Sequence, residues 1–118
     1  MDNSKPFGDK AFLEHILEAI ETIESYSKDL SYESLIDKTF ESKKTRDAVV
    51  REFEIIGEAS NNLTEGLRKR ETDVKWGVVV AMRNKIIHEY FGIDYEVVWS
   101  AIHDDLPKLK VTVQKLLN

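Results

Sequence analysis

The stretch "VKWGVVVAMRNKIIHEY", Val74 to Tyr90, decides the class of this 118-residue chain. Take about 100° per residue around a helix and set Arg83 at zero. Ile86, Val79 and Tyr90 then fall at roughly 300°, 320° and 340°, and Trp76, Ile87 and Val80 at about 20°, 40° and 60°. Lys85 and Glu89 fall near 200° and 240°, on the opposite side. One apolar face and one charged face predict a helix over 74–90. The same wheel exposes an anomaly, because Arg83 stands in the middle of the apolar stripe. A guanidinium stays charged in proteins, and burying it unpaired is very costly. Arg83 therefore requires a carboxylate, a water-filled cleft or a phosphate. An internal ion pair with Glu52, on the apolar side of its own helix, would satisfy it. So would snorkelling, with the stem buried and the head in solvent.

Working outward, the same period recurs along the chain. Over 10–28, Phe12, Leu13, Ile16, Leu17, Ile20 and Ile23 recur at spacings of three and four, with Asp9 as the expected N-cap and Glu14, Glu18, Glu21 and Glu24 on the wet side. "SYESLID" (31–37) reads as a short helix or turn. Residues 43–63 predict a second long helix, lined by Val49, Phe53, Ile56 and Leu63. Gly57 interrupts it at a cost of about 1 kcal/mol against alanine, which a close approach of another helix would offset. Residues 64–73 read as a polar, charged loop. "FGID" supplies a glycine stop at Gly92 and an N-cap at Asp94 for a last segment over 95–118, which Pro107 splits or kinks. No stretch alternates like a strand. The expected fold is all-α: an antiparallel up-and-down bundle of four main helices with one or two short or kinked ones. It forms one domain over 1–118, with residues 1–8 as a flexible N-terminus.

Composition narrows the classes further. With no cysteine, disulfides and thiolate metal sites are excluded, and no apolar run approaches the roughly 20 residues that cross a bilayer. The start, "MDNSKPFGDK", lacks the layout of a signal peptide, so a cytoplasmic protein without membrane contact is expected. The net charge of −5 is uneven: residues 1–41 carry ten acidic and four basic side chains (−6), and the remainder carries +1. A polyanion would meet the later helices. At this length the core leaves monomer stability modest, and burial against a second copy would add to it.

Arg83, Asn84, His88 and Tyr90 lie within eight residues. Histidine, with its ordinary pKa of about 6.5, is suited to proton transfer near neutrality. Asn84, one turn before His88, can hydrogen-bond the imidazole and select its tautomer. Arg83 and His88 lie about 140° apart on one helix, so they aim at neighbouring regions and not at one point. Two copies crossing at a twofold axis would gather two of each in one cleft, which predicts a homodimer with a shared site.

These residues resemble the R-x-x-x-x-H-x-Y motif of HEPN-domain toxins of the HepT type, small helical proteins encoded beside MntA-type nucleotidyltransferases. The blocks "RDAVVREFEIIGEASNNL" (46–63), "VKWGVVVAMRNKIIHEYFGIDYEVVW" (74–99) and "DDLPKL" (104–109) extend the likeness over most of residues 10–118. The resemblance implies a dimeric bundle acting as a metal-independent ribonuclease toxin of a type II-like toxin–antitoxin pair. Its catalytic residues would be Arg83 and His88, supported by Asn84. Its Tyr90 would receive AMP from the nucleotidyltransferase antitoxin, which silences it. No metal and no cofactor are implied, and RNA is the implied substrate. Glu89 fills the variable position between His and Tyr, where an acid would slightly weaken RNA binding. The competing function is a non-catalytic bundle that binds a nucleotidyltransferase partner and nucleotide through Arg83. Elsewhere, "RKR" (68–70) and the lysines of "PKLKVTVQK" (107–115) read as solvated faces, and His15 and His103 as surface or boundary residues.

Overall fold

The computed structural model describes residues 8–88 and 92–118, the side chains of Ile87 and His88 excepted, and it is helical almost throughout. Helix α1 (Asp9–Ser27) buries Leu13, Ile16, Ile20, Ile23 and Ser27, a 3-4-3-4 stripe, and leaves Glu14, Glu18, Glu21 and Glu24 in water. A short α2 (Tyr32–Ile36) is closed by a reciprocal Ser31–Ser34 capping box. Helix α3 (Phe40–Asn61) starts on the Thr39 cap and buries Val49, Phe53 and Ile56; Leu63 follows it into the core. Next come α4 (Glu65–Arg70) and α5 (Trp76–Ile86). A two-residue ladder of β1 (Ile87–His88) and β2 (Gly92–Ile93) precedes α6 (Tyr95–Ser100) and α7 (Leu106–Leu117).

The long helices pack in the order α7, α1, α3, α5, and α6 returns to α5. Two contacts give the directions. Asp9, at the start of α1, accepts the backbone N–H and the hydroxyl of Thr64, just past the end of α3, at 2.8 and 2.6 Å, so α1 and α3 run antiparallel. Lys110, early in α7, reaches Glu24, late in α1, at 2.8 Å, so these two run antiparallel as well. The fold is the expected all-α antiparallel bundle.

Five local expectations give way to tertiary structure. Asp9 is not the N-cap of α1; Gly8 takes that position, and the Asp9 carboxylate ties α1 to Thr64. Thr64 in turn accepts from the N–H of Leu67, so part of the expected 64–73 loop is helix α4. The helix predicted over 74–90 ends at Ile86. There the backbone turns extended, with Ile87 opposite Ile93 and His88 opposite Gly92. Asp94 N–H donates to the Ile86 carbonyl at 2.7 Å, filling an acceptor that a helix end leaves open. Gly92, at φ +87°, holds a conformation that costs glycine nothing, and it serves this ladder instead of the helix stop assigned to it. Finally, Pro107 does not split the last segment in two but stands just after a change in its helical geometry. One π turn, Ala101–Asp105, joins α6 to α7, and Leu106 N–H bonds the Ala101 carbonyl five residues back. Pro107, with no N–H to offer, then falls in the first turn of α7, where none is needed. Asp94 caps α6 as expected, accepting from Glu96 and Val97.

Gly57 carries the close approach that its place in a helix demanded. A β-carbon there would stand 3.4 Å from the Val80 carbonyl oxygen and 3.6 Å from that of Val79, both on the backbone of α5. An alanine methyl fits at that distance; anything larger must push α5 away. Gly57→Ala should therefore hold or raise stability by up to about 1 kcal/mol through helix propensity. Gly57→Leu should lower it by about 1–3 kcal/mol through overpacking. Urea unfolding of both variants separates these outcomes.

Glu52, half-buried on α3, has its pKa pushed up by burial, with Glu18 adding to the rise and Arg51 opposing it. A carboxyl with a raised folded pKa loses stability as pH rises through its titration, since the unfolded chain releases the proton more readily. Glu52→Gln should accordingly be more stable than the parent at pH 7, and the difference should close as pH falls below the ordinary carboxylate range. An equal or larger difference in acid would contradict this assignment.

Candidate functional site

Helix α5 positions the arginine of the motif. With Ile87 outside the helix, the buried stripe narrows to Trp76, Val79, Met82 and Ile86. Arg83 thus lies at the edge of the stripe facing α3, not in its middle, and its side chain is exposed. The internal ion pair with Glu52 is absent, and among the described residues Arg83 has no carboxylate partner. Its requirement is met by an open groove of about 410 Å³ between α1, α3 and α5.

Three helices build that groove. From α3, Arg51, Ile55, Glu58 and Asn62 project at spacings of four, three and four, a second stripe beside the core stripe. From α1 come Phe12 and His15, one turn apart, and α5 contributes Arg83. His15 and Arg51 were given no role by the sequence. The signal was present as a regular polar stripe on α3, but spacing alone does not say which helix faces it. Arg51 reaches Glu54 at 3.5 Å, with its side chain 69% exposed.

The other predicted site residues stand as follows. Asn84 is exposed on α5, one residue on from Arg83. The backbone of His88 lies in β1, so the helical angle of about 140° assigned to it does not apply. The imidazole of His88, Glu89 and Tyr90 lie outside the described residues, and with them the predicted Asn84–His88 bond. Leaving the helix at Ile86 frees the chain from the constraint that keeps Arg83 and His88 apart on one helix.

The remaining basic and histidine features lie largely at the surface, as expected, with some of them ion-paired. Within "RKR", Lys69 pairs with Glu65 at 2.8 Å and Arg70 with Glu71 at 3.8 Å, while Arg68 Nε is buried. Lys115 joins Glu71, just past α4, at 2.8 Å and Lys110 joins Glu24 of α1 at 2.8 Å, while Lys108 and Lys115 remain exposed, as a solvated face would be. His103 is exposed, as expected, and packs on the Trp99 ring with centroids 4.2 Å apart, its Nδ1 lying 2.9 Å from the Trp99 carbonyl oxygen. Among the described residues, no three His, Asp or Glu side chains come together as a metal site, and no helix is long and apolar enough to cross a membrane.

Comparison with known proteins agrees with this architecture. Residues 16–116 match the family model described as ribonuclease HepT-like. The chain is 40% identical over 107 residues to the "Probable ribonuclease HepT" of Thermococcus cleftensis, covering 91% of this chain and 94% of that one. It is 41% identical over 105 residues to a Methanocaldococcus jannaschii protein that carries an RNase name, covering 89% and 93% of the two chains. It is 36% identical over 108 residues to an RNase-named protein of Caldanaerobacter subterraneus, covering 92% and 93%. No solved structure matches it. A family match across most of the chain, with these identities at nearly full length, places the chain in the HepT-like ribonuclease family.

Proposed function

We propose that the chain is the toxin of a toxin–antitoxin pair, a ribonuclease that cuts RNA without a metal at a site shared between two copies. The observation that carries this is Arg83: a permanent cation at the wall of an open groove, exposed, with no carboxylate partner among the described residues. A guanidinium so placed suits a phosphate, which it can grip through two parallel N–H bonds. In the reaction, the ribose 2′-oxygen attacks the adjacent phosphorus as its proton passes to one His88. The bond from phosphorus to the 5′-oxygen breaks, and that oxygen takes a proton from the other His88. Arg83 stabilises the charge that grows on the phosphorane oxygens. Asn84, next to Arg83, orients the imidazole.

The outer face of α5 supports the dimer. Gly77 and Ala81 stand one turn apart on it, nothing lies within 4 Å of a β-carbon built at Gly77, and Val78 is 39% exposed. A second copy laid along this face covers Val78, and the shared site needs the twofold axis to pass near the Arg83 end of the helix. The cytoplasm is the compartment where such an enzyme meets RNA. An MntA-type nucleotidyltransferase would silence it by transferring an adenylyl group to the Tyr90 oxygen, placing a bulky anion where the substrate phosphate binds.

In a cleavage assay on labelled single-stranded RNA with EDTA present, the parent protein should cut, and Arg83→Ala and His88→Ala should each lose about 10²-fold or more. Either variant cutting at the parent rate refutes the assigned roles. After co-expression with the partner enzyme, mass spectrometry should find one AMP on Tyr90 in the inactive protein. A silenced protein with unmodified Tyr90 would exclude that mode of control.

A further inference from the structure

The groove beside Arg83 holds more chemistry than the motif uses. Arg51 and His15 stand on its walls, so nitrogen-bearing side chains from three helices converge there. The only ion pair of Arg51 among the described residues is its 3.5 Å contact with Glu54, long for a charge-assisted bond and solvent-screened on the arginine side. A phosphate can compete for that guanidinium. Phe12 and Ile55, both half-buried, give the groove an apolar wall. Glu58 brings an exposed carboxylate with no ion pair among the described residues.

This mixture selects among ligands. A duplex, or a run of phosphates, would set several negative charges against Glu54 and Glu58. A small inorganic anion would leave the apolar wall uncovered. One nucleotide of an unpaired strand uses every part: phosphate at a guanidinium, base against the apolar wall, and a base amino group toward a carboxylate. The groove's volume of about 410 Å³ falls within the size range of small-molecule sites.

We propose that this groove binds the nucleotide next to the scissile phosphate of single-stranded RNA, with Arg51 holding the neighbouring phosphate and Glu58 accepting from the base amino group. The proposal rests on the ribonuclease reading, in which Arg83 holds the scissile phosphate itself. Arg51 is a substrate-positioning residue and Glu58 a specificity-determining one. The preference follows for adenine, cytosine or guanine over uracil, which has no amino group.

The test uses His88→Ala protein, which binds without cutting, and fluorescence anisotropy with labelled oligo(A) and oligo(U) across a salt series. Adding Arg51→Ala should weaken oligo(A) binding roughly fivefold or more and lower the salt slope by about 0.7, the value of one lost phosphate contact on a single strand. Adding Glu58→Ala should narrow the preference for oligo(A) over oligo(U). Unchanged affinity and slope in the Arg51 variant, with its melting temperature intact, overturns the groove while leaving the ribonuclease reading in place. An unchanged oligo(A)/oligo(U) ratio overturns the role of Glu58. If the His88→Ala parent binds neither oligonucleotide at any salt, the ribonuclease reading falls, and this proposal with it.

Discussion

The contact of α3 with α5 at Gly57 is the constraint from which the remaining geometry follows. A β-carbon at Gly57 would meet the carbonyl oxygens of Val80 and Val79 at 3.4 and 3.6 Å, so α5 seats against α3 with room for no more than a methyl group between them. Close seating fixes the rotation of α5 about its own axis, since Trp76, Val79, Met82 and Ile86 must all enter the core. With that rotation set, Arg83 has one place to go, the lip of the groove that α5 makes with α3 and α1. A helix held further away could turn, and its arginine would have no defined address.

The rest of the molecule holds α3 where α5 needs it. The Asp9–Thr64 clamp fixes α1 against the end of α3 and starts α4 in the same stroke. Arg46 of α3 donates to the carbonyls of Leu35 and Asp37 and lies over the Tyr95 ring at 5.6 Å, joining α2, α3 and α6. Lys110 and Lys115 fix α7 to the opposite side. Most of these cations are engaged by carboxylates, carbonyls or rings. Arg83 has no carboxylate partner among the described residues and stands at the wall of a groove, and that placement, not net charge, marks its site.

Much of the fold was legible because core burial imposes a period on the chain. Leu13, Ile16, Ile20 and Ile23 on one helix and Val49, Phe53 and Ile56 on another announce their buried faces directly, and Gly57 announces a close neighbour. The site was legible only in part. Arg83 was visible as a charge near an apolar stripe, yet its exact bearing depended on where the helix ends. The wheel carried Ile87 and His88 around one helix, whereas the chain leaves the helix at Ile86 for a ladder in which they face Ile93 and Gly92. Strand pairing is a contact between segments, and local period cannot register it. His15 reads only as a surface or boundary residue and Arg51 is not singled out by the sequence, since each is an ordinary solvent-side residue until another helix is laid beside it.

Sequence alone therefore determined the helical class, the buried faces, the family-like motif and the need of Arg83 for something outside its own helix. Those properties are local: they depend on side-chain type and on a repeat of 3.6 residues. Tertiary structure decided which helix lies next to which, where α5 stops, and that Arg83 shares a groove with Phe12, His15, Arg51 and Glu58. Such facts depend on residues far apart in the chain meeting in space, and on a few contacts, such as Asp9 with Thr64, that redirect groups from their local roles.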